Sequence, residues 1–386
     1  MRNESPFGAA RLCSFHVFGS GSDIVRDRLW SLPDRGSNAV VDVAAGRGVP
    51  EGEPVDEEMV ELCLHHGLIS ILAEESGAPV AVALRGKRVA LQELMRVHLR
   101  RILERFEEAG IRAAVVKGPR MADTYYEVPR LRPFSDIDLL VEPASLDKAL
   151  STLASDEAVS GIPEKGPKAD KRDIPFRDPS GVGFTVDLHW DLFAYSQLRG
   201  DAAGATASGW ESATHLPDSA LGPHWAMPTD IELSFLATHA ILDHRFRLIL
   251  FRDFLEMANG DVPWDDVITT AGRFGLRSTS YISLMMAAEA LGADIPEAVL
   301  ASLRPSSASV RYLEYALPRT DFVRFDGYQT HPVNLASVLL NDSLPGRLAL
   351  AARAPFAFRG WSERNAEERH SKETELVSRP DDERDE

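Results

Sequence analysis

The sequence predicts an α+β protein, with a compact strand-and-helix unit set between two helical parts. Two observations lead there. Apolar residues recur at helical spacing on both sides of the middle of the chain. Between Ala113 and Trp190 that spacing gives way to short β runs separated by turn residues. The chain has 386 residues, 44% hydrophobic and 26% charged, which is enough to bury a full core without disulfide or metal staples.

Taken in order, residues 1–54 are rich in Gly, Pro, Ser and Asp and read as a partly irregular N-terminal segment. Residues 55–110 form an N-terminal helical region. From Asp56, Met59, Leu62, Leu64, Leu68, Ile71 and Leu72 fall on one face. His65 and His66 read as residues on that helix's surface. A second helix is expected from Arg88 to Ala109, with Leu91, Leu94, Met95, Leu99, Ile102, Leu103 and Phe106 as its stripe and His98 half-buried on the edge. Gly110 follows as a C′ stop.

The strand-and-helix core is placed at 111–195. Ala113 to Val116 is a β run closed by Lys117-Gly118-Pro119, and a short helix through Met121 and Tyr125 follows. Ile137 to Val141 is a second β run, with a helix from Leu146 to Leu153 after it. Residues 156–171 read as loop. Arg172 to Arg177 and Gly183 to Trp190 flank Asp178-Pro179-Ser180-Gly181 as a hairpin.

A C-terminal helical domain is expected over 225–355. Thr229-Asp230-Ile231-Glu232 reads as a capping box opening a helix toward His244. Further helices are expected at Phe246–Ala258, Trp264–Phe274 and Thr279–Leu291, with Gly275 and Gly292 as stops. Residues 362–386 carry 10 acidic and 5 basic residues and read as a disordered acidic tail.

Cysteine usage and charge narrow the function classes. Cys13 and Cys63 cannot build a disulfide framework or a cysteine zinc site, so a reduced, cytoplasmic protein is expected. No apolar run reaches the ~18 residues of a membrane span. A net charge of −17 argues against coating a long nucleic acid or docking on anionic lipid. Locally, Ile111 to Val141 holds five basic and four acidic residues, so this stretch does not repel a nucleotide.

The chemistry concentrates in Ser135-Asp136-Ile137-Asp138-Leu139-Leu140-Val141. Strand alternation puts Asp136 and Asp138 on one face, about 6.5–7 Å apart along the chain, with Ile137 and Leu139 on the other. Two carboxylates side by side raise each other's pKa unless a cation lies between them. A hard divalent ion with oxygen ligands is therefore indicated, Mg²⁺ first and Mn²⁺ as the alternative. A charged, solvent-facing strand edge is the competing explanation for Asp-x-Asp alone. In Thr185-Val186-Asp187-Leu188-His189, Asp187 adds a third carboxylate on the polar face of another strand. Three such aspartates suit two-metal phosphoryl or nucleotidyl transfer. His189 reads either as a support for that set or as a strand-surface histidine.

Lys117-Gly118, then Tyr126-x-x-Pro129-x-x-Arg132-x-x-x-Asp136-Ile-Asp138-Leu-Leu-Val141, then Val186-Asp187-Leu188-His189-Trp190, resemble the uncharacterised nucleotidyltransferase family of the DNA polymerase β-like superfamily. Gly110-Ile111 before the first strand fits the same order of motifs, and Leu236-x-x-His239 through Arg252-Asp253 resembles that family's C-terminal half. The resemblance spans 56–300, with its specific motifs in 110–190. It implies a small mixed or antiparallel sheet and Mg²⁺-dependent transfer of a nucleoside monophosphate from an NTP. It implies metal ligation by Asp136, Asp138 and Asp187, the catalytic set. The acceptor, a small molecule, sugar or peptide, does not follow from fold.

The turn departs from the superfamily's Gly-Ser or Gly-Gly, since Pro119 has no N–H to offer phosphate. Lys117 is the expected substitute as a point charge, with a plain strand-end lysine as the other reading. The expected phosphate and substrate contacts are Lys117, Gly118, Arg132, Ser135 and His189. Arg130 reads equally as a solvated loop charge, and Arg120 and Tyr126 carry weaker signals. Asp243, His244, Arg247 and Asp253 read mainly as helix-packing polar contacts, with a place in the cleft as the alternative. The altered turn also motivates a second hypothesis, a catalytically inactive nucleotide- or ligand-binding module on the same fold.

Overall fold

The computed structural model describes residues 35–154, 173–177, 185–193, 198, 202–242, 246–306, 309, 323–324 and 342. Cys13, the 156–171 loop, the hairpin turn, Asp243, His244 and the acidic tail lie outside them. Among the described residues, no helix is long and apolar enough to cross a membrane.

The segment expected to be partly irregular contains a helix, α1 (Arg35–Ala45), which buries Ala39, Val40, Val43 and Ala44. Its small apolar residues were obscured by the Gly- and Pro-rich surroundings. The helix from Asp56 is in fact two, α2 (Glu57–His65) and α3 (Ile69–Ser76). Asp56 caps the first by accepting from the Met59 N–H at 2.9 Å. Gly67 (φ +74) separates them, and a Cβ there would lie 3.0 Å from Ile249 Cγ2. His66 is buried rather than on the surface. Its Nδ1 accepts from the Leu248 N–H at 3.2 Å, so Nε2 carries the proton and donates to the Val323 carbonyl at 2.8 Å. Cys63 is buried beside it, and burial pushes its thiol up to about 12.

Helix α4 (Pro79–Glu108) starts nine residues before the expected Arg88, with Pro79 in its first turn. Its end matches the sequence. Gly110 (φ +63) donates to the Glu107 carbonyl and Ile111 to that of Phe106, both at 2.8 Å, while Ile111 and Phe106 are buried together.

The core elements are β1 (Ala113–Val116), α5 (Gly118–Thr124), β2 (Asp136–Val141), α6 (Leu146–Ala154), β3 (Asp173–Arg177) and β4 (Thr185–His189). Two strands absent from the sequence reading complete the sheet after α7 (Ala205–Glu211): β5 (Thr214–Leu216) and β6 (His224–Ala226). The order is β3-β4-β2-β1-β6-β5. β1 runs antiparallel to β2 and parallel to β6; β2 and β4 are parallel; β3 and β4 form the expected antiparallel pair. The sheet is mixed.

Each face meets a different core. Ala113, Val115, Ile137, Leu139 and Val141 pack under α4, whereas Ala114, Val116 and Leu140 join the C-terminal helices. Asp136 and Asp138 share the parity of Leu140 and so face those helices. They are α8 (Thr229–Leu242), α9 (Leu248–Ala258), α10 (Trp264–Arg273), α11 (Arg277–Met286) and α12 (Glu297–Leu303), with a π turn at Ala287–Leu291. Gly275 (φ +64) and Gly292 (φ +81) end helices as expected. Helix α8 opens at Thr229, but Glu232 does not serve as a capping-box residue. Its carboxylate accepts from Tyr125 Oη at 2.8 Å and Arg120 Nε at 3.3 Å, tying α8 to α5.

Gly118 is needed for lack of a side chain: a Cβ would fall 2.6 Å from Phe134 Cβ. Gly118→Ala is expected to cost about 1–3 kcal/mol of stability through overpacking, read from denaturant midpoints. An unchanged midpoint would show that Phe134 yields freely.

Candidate active site

The site is where the end of β1 meets the starts of β2 and β4. Parallel pairing aligns Asp138 with Asp187 and Leu140 with His189, so the polar faces of the two strands coincide. Hydrophobic neighbours on the opposite face fix that orientation: Ile137, Leu139, Val186 and Leu188 are all buried.

Asp138 is the centre, at 1% exposure. Its Oδ1 accepts from Lys117 Nζ at 2.6 Å and from His189 Nε2 at 2.7 Å. Its Oδ2 is buried and has no hydrogen-bond partner. Burial pushes the Asp138 carboxyl up, but the Lys117 ammonium and the His189 hydrogen bond outweigh it and hold the group well below the usual carboxylate range. The other two aspartates move the opposite way. Asp187 is pushed up to about 6 by burial and by Asp138. Asp136 is raised by burial and Asp138, against the pull of Lys117, Arg132 and Arg247. Burial disfavours the Lys117 ammonium, yet Asp138, Asp136 and Asp187 together raise it. Lys117 thus lies among three carboxylates, with Arg132 and Arg247 acting as further cations on Asp136.

Asp138, Asp187 and His189 each present one ligand atom within 4.8 Å of the others. Asp136, expected as a ligand, is not in that group; it lies beside it on β2 and lines the cleft. His189, read as a support or a surface histidine, is in the group. The orphaned, buried Asp138 Oδ2 together with carboxylate and imidazole donors fits a divalent cation.

Lys117 and Gly118 reach the site, and Ser135 is exposed at its rim. Lys117 has φ 55 and ψ −130, a backbone region that glycine occupies without strain and a lysine does not. Arg132 lines the cleft, but its donors are committed. Nε and Nη2 clasp the two oxygens of Asp253 at 2.7 and 2.8 Å, and Nη1 donates to the Pro133 carbonyl at 2.7 Å. Tyr126 Oη donates to the same carboxylate at 2.8 Å. Asp253 is therefore a packing contact, as its sequence context suggested, and Arg132 is its partner. Arg130 is exposed and pairs with Glu74 at 3.2 Å, away from the aspartates.

The cleft between sheet and helices is also lined by Arg88, His239, Arg247 and Ile249. Arg88 carried no signal in the sequence, because its α4 position reads as a solvated charge until the fold brings Arg247 to the same cleft. A family model described as uncharacterised nucleotidyltransferase matches residues 55–292. No curated protein matches the chain.

Proposed function

This chain belongs to the uncharacterised nucleotidyltransferase family, and from that premise we propose that it moves a nucleoside monophosphate from an NTP to a hydroxyl or phosphate of a small molecule, sugar or peptide, with Mg²⁺ as the working ion. The observation that carries this reading is the buried, unpartnered Oδ2 of Asp138, in register with Asp187 and flanked by Asp136. Asp138, Asp187 and His189 would hold the cation, with Asp136 adjoining. Bound there, it would supply neutralisation of phosphate charge and activation of an attacking oxygen.

The residues around it divide the remaining work. Lys117 holds Asp138 ionised and sets its Oδ1. In the metal-free chain His189 Nε2 donates to the same carboxylate from the other side; as a ligand, the imidazole would offer a ring lone pair to the cation in place of that donation. Ser135 at the rim contacts substrate as it enters.

The test is pyrophosphate release from each NTP with Mg²⁺, or Mn²⁺ in its place, across a panel of hydroxyl and phosphate acceptors. A nucleotidylated acceptor supports the reading, and no product with any NTP opposes it. A second reading, a binding module without turnover, draws support from the 2.6 Å Lys117–Asp138 pair and from Pro119. It is distinguished by NTP binding in calorimetry with no product.

Metal binding should depend on pH. Asp187, at about 6 in the metal-free chain, must lose its proton to act as a ligand. Affinity for Mn²⁺, followed by electron paramagnetic resonance, is expected to weaken about tenfold per pH unit below about 6 and to level off above it. A flat profile through that range would remove Asp187 from the ligand set.

A further inference from the structure

The cleft holds two guanidinium groups that the chemistry above leaves unused. Arg247, the residue before α9, and Arg88 on α4 line it together with Gly118, Ser135 and Asp136. Arg247 Nε is buried and has no hydrogen-bond partner. Among the described residues no carboxylate lies in ion-pair range of either guanidinium. Burial and the neighbouring Arg132 lower the pKa of Arg247, Arg88 adds to this, and only Asp136 pulls the other way. A desolvated cation crowded by like charge works against folding unless an anion joins it.

The other cations near the cleft are committed. Lys117 is bound to Asp138, Arg132 to Asp253 and Arg120 to Glu232. The turn offers fewer backbone donors than a glycine-rich one: Pro119 has no N–H, and that of Met121 is taken by the Lys117 carbonyl at 2.7 Å. Guanidinium forks match phosphate oxygens in shape and charge, and those of Arg88 and Arg247 are the ones left for an oxyanion.

We propose that Arg247 and Arg88 form the phosphate-binding pair of this cleft. The identity of their ligand rests on the nucleotidyl-transfer reading, and two sources share the chemistry: the polyphosphate of the NTP and a phosphate on the acceptor.

The full chain is titrated calorimetrically with inorganic tripolyphosphate, without metal, as wild type, Arg247→Gln, Arg247→Lys and Arg88→Gln. Arg247→Gln is expected to weaken binding about tenfold or more, the scale of one lost charge-assisted contact. Arg247→Lys should lose part of this, because a point charge replaces the fork, and it carries the test if the glutamine variant does not fold. Thermal melts separate structure from binding: with its crowding relieved, Arg247→Gln should melt no lower than wild type. Two further arms assign the source. A loss with ATP and Mg²⁺ points to the polyphosphate. A loss only when inorganic phosphate is added to protein saturated with a non-hydrolysable NTP analogue points to the acceptor. Unchanged tripolyphosphate affinity in both glutamine variants, or no binding by wild type, overturns the proposal. Arginine-dependent binding in a protein that never releases pyrophosphate would leave the pair standing and reject nucleotidyl transfer.

Discussion

Asp138→Asn is expected to lower NTP-dependent pyrophosphate release by about a thousandfold, the scale on which one preorganised electrostatic group acts. The substitution keeps the shape of the side chain and removes the charge that Lys117 and His189 both address. It also replaces the unpartnered Oδ2, in one rotamer, by an amide that repels a cation. The loss should be chemical rather than structural. The Lys117 ammonium keeps two further carboxylates that favour it, Asp136 and Asp187, so the chain retains a partner for its buried cation. A thermal melt and metal-binding titration run on the same sample separate the cases. Activity within tenfold of wild type would move the metal away from Asp138 and with it the whole assignment.

Asp253→Ala is expected to cost about 3–5 kcal/mol of stability, a large fraction of the about 5–15 kcal/mol of a typical domain. The carboxylate is 0% exposed, and it satisfies two donors of Arg132 and the hydroxyl of Tyr126. Removing it strands a buried guanidinium, which is worse than removing both partners. Arg132→Met combined with Asp253→Leu should therefore recover much of the loss, and a double-mutant cycle in urea reads the coupling. If Asp253→Ala shifts the unfolding midpoint no more than an exposed substitution does, the clasp is not a stabilising tie. Phosphate affinity should not fall as it does in Arg247→Gln, because Asp253→Ala removes no cation and frees the Arg132 fork.

Strand alternation was legible in the sequence and carried most of the site. The parity of Asp136 and Asp138 against Ile137 and Leu139, and of Asp187 against Val186 and Leu188, needs only local pattern, and the structure keeps both. Gly110 was legible for a similar reason, since one residue fixes the helix end. The errors share a different cause. Arg132 stands before the aspartates at a position matching the family's motif and does line the cleft, but a buried arginine's fork goes where a carboxylate is available, and Asp253 lies 121 residues away. Glu232 looked like a cap because the local motif was present, and Tyr125 and Arg120 claimed its oxygens through the fold. Strands β5 and β6 have three residues each, too short for alternation to register. His189 shows the limit of one strand read alone. Its partner Asp138 is 51 positions earlier, and only the parallel pairing brings them to 2.7 Å.

The parallel pairing of β1 with β6 bears on how the chain is made. β1 emerges from the ribosome early, yet its second edge is covered by a strand whose register partner to Ala114 is Trp225. The Tyr126 hydroxyl waits still longer, for an acceptor 127 residues downstream. Contacts of this sequence separation close late, because the loop entropy must be met before they form. During synthesis the aspartate-bearing strand pair therefore exists first with an open edge and a buried-to-be arginine in water. A fragment ending near residue 195 should pair edge to edge or aggregate rather than fold. The sheet becomes a finished object only when the helical half has been translated.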